Sequence, residues 1–204
     1  AGREIGRIYQ GKEEDAVRSM KSREDVYIRA ARYSLEAYVG KGRRLHQKED
    51  LPQSMRQDLT DEMLHERAGA FVSLKIAGQL RGCIGTIGPA QPTLLAEILH
   101  NAVSAAVEDP RFEPVQEWEL PRLTVSVDVL GKPEPIDSLD LLDVRRYGVI
   151  VSYGRQRGLL LPDLEGVDTP AYQVEIALQK AGISANKPYT MERFEVIRHE
   201  ADEA

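Results

Sequence analysis

The chain has 204 residues, long enough for one domain or two small lobes to bury a core without disulfide staples. Apolar residues make up 42% and charged residues 29%, the balance of an ordinary globular protein, and a net charge of −6 argues against nucleic-acid binding through surplus Lys and Arg. The single cysteine excludes an internal disulfide and a Cys-based structural zinc site. No apolar run approaches the roughly 18 residues of a membrane span, and the polar opening Gly2-Arg3-Glu4 does not read as a signal peptide. A cytoplasmic α plus β protein is the expectation.

Residues 1–22 carry charge without an apolar period and read as a tail or leader. Ser22 with Asp25 fits a capping box, after which Val26, Ala30, Leu35 and Val39 recur at helical spacing. Gly40 and Gly42 stop that helix, with Lys41, Arg43 and Arg44 at its negative end. A loop and a second, broken helical stretch (54–67) follow. The period then changes. Ala70 to Ile76 and Leu80 to Ile87 flank a Gly78-Gln79 turn and read as a hairpin. Thr93 caps a helix from Leu94 to about Val107, and Asp109-Pro110 ends it. Residues 122–130 alternate as a strand, with Leu123, Val125, Val127 and Val129 on one face.

After a proline-rich link (131–136) the order recurs. Tyr147 to Tyr153 and Gly158 to Leu161 form a second hairpin around Gly154. Thr169-Pro170 starts a helix that Gly182 ends, and Phe194, Val196 and Ile197 mark a last strand. The expected architecture is α+β: two N-terminal helices, then two ββαβ units (70–130 and 147–198) forming mixed sheet, in two lobes with a cleft between them. Gly78-Gln79-Leu80-Arg81-Gly82 aligns with Gly154-Arg155-Gln156-Arg157-Gly158, which raises an internal duplication as a hypothesis.

The segment Leu80-Arg81-Gly82-Cys83-Ile84-Gly85-Thr86 carries the strongest signal. Gly82 and Gly85 weaken a strand, a composition tolerated where another backbone or a ligand approaches closely. Cys83, two residues from Arg81, is expected on the same face as that arginine and opposite Leu74 or Val72. It reads as a small buried hydrophobe, as a thiol activated by Arg81, or as a pocket-lining group. Asp109 and Arg111 fit a local pair with Phe112 anchoring the loop, or an arginine fork for an anionic group. Arg81 and Arg157 would join that fork if the two hairpins lay side by side. His46, His65, His100 and His199 show no metal-ligand spacing, so no metal and no cofactor is expected. Tyr147 and Tyr153 read as packing residues.

Several of these segments resemble the AMME-chromosomal-region domain family, whose bacterial members are named AmmeMemoRadiSam system protein A. The likeness rests on Gly69-Ala70-Phe71-Val72-Ser73-Leu74, on the 80–86 segment, and on Asp109-Pro110-Arg111-Phe112. It continues through Glu119-Leu120, Ser126-Val127-Asp128-Val129-Leu130, Tyr147-Gly148-Val149-Ile150-Val151, Gly158-Leu159-Leu160-Leu161-Pro162, Lys180-Ala181-Gly182-Ile183 and Arg193-Phe194-Glu195. It spans roughly residues 23–200, implying a single domain over 23–204. Tyr147 departs from the histidine many relatives have there, so a mechanism needing that imidazole does not carry over. The resemblance implies a two-lobed α+β fold with residues 80–86 near a cleft, and a pathway shared with a radical-SAM protein and a Memo-like protein.

Two functions follow as expectations. One is an accessory or substrate-presenting protein of that pathway. The other is a small cleft enzyme with Cys83 as nucleophile or redox thiol. Arg81, Gly82, Gly85, Asp109, Arg111 and Arg157 would line the cleft, with a small anionic ligand as a candidate occupant. An RNA-binding module would draw only on scattered arginines, against the acidic balance.

Overall fold

A computed structural model of the chain describes residues 23–201; the stretch 1–22, with Ser22, lies outside the described residues. Helix α1 (Val26–Lys41) begins where the Asp25 side chain accepts the Ile28 N–H at 3.1 Å. It ends at Gly42, whose φ of 64° is left-handed, so Gly42 rather than Gly40 stops it. The second helical stretch is two short helices, α2 (Gln53–Arg56) and α3 (Asp61–His65), because Thr60 caps a fresh start by accepting the Met63 N–H.

Strands β1 (Ala70–Ile76) and β2 (Gln79–Gly85) form the first hairpin. Its turn is Ala77-Gly78, both at positive φ (50° and 77°), one residue earlier than expected. Helix α4 (Leu94–Val107) starts at the Thr93 cap and buries every residue except His100 and Val107. Each fully buried Leu or Ile on it contributes roughly 1.5–3 kcal/mol. Its buried polar groups are satisfied. Glu97 accepts from Thr86 Oγ1 and from the Ala90 and Gln91 N–H groups, while Asn101 donates to the Ala70 carbonyl. The Glu97 bonds fasten the chain leaving β2 onto the helix, and the Asn101 bond fastens the start of β1.

β3 (Thr124–Leu130) is followed by β4 (Glu134–Ile136) inside the segment read as a link. The second hairpin is β5 (Gly148–Tyr153) with β6 (Gln156–Leu160), and α5 (Pro170–Ala181) runs from the Thr169 cap to Gly182. The last strand is two, β7 (Thr190–Phe194) and β8 (Val196–His199). The α+β class holds, and in place of mixed sheet the strands form two antiparallel sheets, ordered β2-β1-β3-β8 and β4-β7-β5-β6. In each, the strand that follows the helix pairs with the first strand of the hairpin, and a short strand completes the sheet.

The chain divides into two compact units, one up to Asp128 with Arg198 onward, the other Val129–Ile197. In the first, α4 packs on β1 and β2 and against α1. In the second, Val149, Val151, Leu160, Val174, Ala177 and Leu178 form the core between α5 and its sheet. Tyr147 and Tyr153 pack against that core, as expected. No described helix is long and apolar enough to cross a membrane.

Candidate functional site

The first hairpin is irregular at one place. Leu74 pairs with Gly82 and Lys75 with Leu80, which leaves Arg81 as the extra residue of a β-bulge. The bulge slips the register by one, and a one-residue slip turns every later side chain to the other face. Cys83 therefore stands opposite Ser73, not opposite Val72 or Leu74, whose side chains are fully buried. Gly82 takes the face toward α4: a Cβ there would lie 2.2 Å from the Ala105 carbonyl oxygen. At Gly85 a Cβ would meet the Phe71 ring at 2.3 Å. In the second unit Gly158 repeats the arrangement, 2.4 Å from the Ala177 carbonyl oxygen. The close approach these glycines permit is that of protein atoms from within the same unit.

Cys83 is half-buried and lies within reach of three groups. The Ser73 hydroxyl donates to its Sγ at 3.2 Å. Its backbone N–H donates to Asp109 Oδ2 at 3.0 Å, and its carbonyl accepts from Arg111 Nη2 at 3.4 Å. Outward-facing backbone groups on Cys83 fit its close cross-strand contact with Ser73, since residues that exchange no ladder bonds bring their side chains nearer. Burial pushes the Cys83 thiol up; the Ser73 hydrogen bond and the Arg111 charge oppose that, while Asp128 and Asp109 add to it. A thiol so placed is protonated at neutral pH.

Asp109, 4% exposed, is the hub. Arg111 donates to it from Nε (3.0 Å), from Nη2 (2.8 Å) and from its own backbone N–H (3.1 Å). Those bonds, with the Cys83 N–H, hold its carboxyl down at about 2 against a burial penalty in the other direction. The local pairing expected of Asp109 and Arg111 is what forms. Phe112 is half-buried beneath two guanidiniums, its ring 5.6 Å from Arg111 Cζ and 6.0 Å from Arg81 Cζ. The loop's buried anchor is Val115 instead, 3% exposed.

Arg81 does not act on the thiol. It forks onto Glu119, Nε to Oε1 at 2.9 Å and Nη2 to Oε2 at 3.0 Å, and donates from Nη1 to the Glu113 carbonyl. Those bonds hold the Glu119 carboxyl below the usual range. The first unit thus gathers Arg81, Gly82, Cys83, Gly85, Asp109 and Arg111 around one hairpin. Arg157 lies in the second unit, opposite Ser152, and pairs with Glu192 at 3.4 Å. Ser73, Glu119 and Asp128 belong to the site and were not singled out from sequence. Ser73 was hidden by the bulge, and Glu119 lies far along the chain from its partner. Asp128, 3% exposed, is held by Arg198 at 2.8 Å.

Two antiparallel sheets, each built on a hairpin, a helix and a returning strand, define an α+β fold, and Cys83 stands on its first hairpin. The AMMECR1 family profile matches residues 28–203, and the chain belongs to that family. A Thermotoga maritima protein is 48% identical over 161 residues, covering 78% of this chain and 88% of the relative. A Clostridium acetobutylicum protein is 46% identical over 185 residues, covering 91% of this chain, which spans only 38% of that relative's length. The crystal structure of the uncharacterised protein PH0010 from Pyrococcus horikoshii matches with a TM-score of 0.75 and 30% identity, over 87% of this chain and 90% of that one.

Proposed function

We propose that the chain is an accessory or substrate-presenting protein in a modification pathway with a radical-SAM enzyme and a Memo-like protein, binding its partner or a small anionic substrate at the Cys83–Asp109–Arg111 site. The observation that carries this reading is the state of the site. Its thiol is protonated, its carboxylate is already spent on Arg111 and a backbone N–H, and its second arginine is committed to Glu119. That is a preorganised surface with a fixed shape, not a nucleophile with a free base. The exposed element is the Arg111 side chain, 57% accessible and oriented by Asp109 for planar contact with a carboxylate or phosphate.

The test is co-purification with the radical-SAM and Memo-like proteins, with and without candidate substrates. Association that Arg111→Glu abolishes while Cys83→Ser retains it supports the proposal. Absence of association under every condition sinks it. One observation favours the enzyme reading: both the Ser73 hydroxyl and the Arg111 charge stabilise a Cys83 thiolate. Product formation that Cys83→Ser stops, with association intact, would put that reading first.

A further inference from the structure

The second unit holds a cavity of about 390 Å³, within the roughly 300–1,000 Å³ range of small-molecule sites. Its wall brings together Lys132, Arg146, Arg193 and Tyr147 with the carboxylates of Glu134 and Glu195. Neither the Cys83 hairpin nor Arg157 is part of it.

The two arginines are held in place before any ligand arrives. Arg193 Cζ sits 4.3 Å and Arg146 Cζ 4.9 Å from the centre of the same Tyr147 ring. Tyr147 is itself anchored, because Gln173 of α5 donates to its carbonyl at 2.8 Å. Each guanidinium is then oriented by one carboxylate. Arg193 Nε donates to Glu134 at 3.1 Å, a partner directly across from it on β4, and its Nη1 donates to the Leu141 carbonyl at 2.8 Å. Arg146 Nε donates to Glu195 at 2.7 Å. Nη1 of Arg146 and Nη2 of Arg193 have no hydrogen-bond partner among the described residues.

Charge decides what such a wall accepts. Glu134 and Glu195 neutralise the two arginines and leave the Lys132 ammonium, which pairs with no carboxylate among the described residues. The cavity therefore keeps one uncompensated positive charge beside two guanidiniums with unused donors. Fixing those guanidiniums on a ring and a carboxylate removes rotamer entropy that binding would otherwise have to overcome. We propose that this cavity is a binding site for the phosphate or carboxylate group of a small molecule, with Lys132 supplying the net charge and Arg146 and Arg193 the directed donors.

The experiment is an amide NMR titration of the full chain with inorganic phosphate and, separately, sodium acetate, at ionic strength held constant with chloride. The expected result is a saturable response at the Gly131, Lys132 and Gly148 amides. It should weaken at least about tenfold in Lys132→Gln and again in Arg146→Gln, but not in Arg157→Gln. Tighter binding of phosphate assigns a phosphate-bearing ligand, and tighter binding of acetate a carboxylate; either supports the site. The proposal is overturned if neither anion saturates, or if Lys132→Gln and Arg146→Gln, with amide spectra otherwise intact, bind as the native chain does. This site and the Arg111 surface stand or fall separately, since their variants and readouts do not overlap.

Discussion

Asp109→Asn removes the charge at the hub of the first hairpin while keeping the shape of the side chain. The carboxyl is held at about 2 against an ordinary 3.8, chiefly by Arg111 and then by the Cys83 N–H. Because the group is buried, that difference is a statement about stability, about 2 kcal/mol at neutral pH. The sign follows from a depressed folded-state value. The contribution is fully present above the unfolded pKa near 4 and is lost as pH falls through about 2, leaving about 1 kcal/mol at pH 3. Urea unfolding of the native chain and Asp109→Asn, followed by far-UV circular dichroism, should show the variant less stable by about 2 kcal/mol at pH 7, with a gap roughly halved at pH 3. A gap of equal size at both pH values, or none at pH 7, would refute the assignment of Asp109 as an ionised hub.

Alkylation of Cys83 in the native protein should be slow at pH 7 and follow an apparent pKa above the free-thiol value of roughly 8.5, and Ser73→Ala should slow it further. Iodoacetamide kinetics across pH would check this, and a rate plateau below pH 8 would contradict it. Arg81→Met should cost about 3 kcal/mol by leaving the buried Glu119 carboxylate without its cation and with only the Gln116 N–H donating to it, and Arg81→Met with Glu119→Met should recover part of that loss in a double-mutant cycle. Gly82→Ala forces a methyl against the Ala105 carbonyl and should destabilise by about 1–3 kcal/mol in thermal unfolding, with Gly158→Ala doing the same in the second unit. Thr169→Ala removes the hydroxyl that accepts the Tyr172 N–H and should cost about 1 kcal/mol.

What could be read from the sequence tracks the length and chemistry of each signal. Helices α4 and α5 carry a threonine cap, an apolar stripe and a defined end, so their starts were legible to the residue and their ends closely. β4 is three residues around Pro135, too short to show alternation, and β7 runs almost directly into β8, so each was missed or merged. The first hairpin shows how one local event misdirects a site. Ala77 at positive φ moves the turn by one residue, and the bulge at Arg81 moves the register by another. Neither event has a residue signature, so Cys83 was set against Val72 or Leu74 and beside Arg81. The residue types of the site were legible; their pairing was not. Asp109 with Arg111 is local and was readable, whereas the Arg81–Glu119 fork is set by the fold.

The bonds from Asp109 and Arg111 to the Cys83 backbone have a consequence for how these molecules behave toward each other. β2 is the outermost strand of its sheet, and an outermost strand offers a row of unpaired donors and acceptors to any passing chain. Here a carboxylate takes the N–H and a guanidinium takes the carbonyl of the same residue, side chains imitating the missing neighbour strand. A segment poor in charge and carrying two glycines, otherwise a template for β-augmentation, is thereby capped at Cys83 against a pairing strand. The guard is ionic, so it loosens only where Asp109 takes up a proton, as pH falls toward about 2, and self-association through this strand would begin there rather than in mild acid.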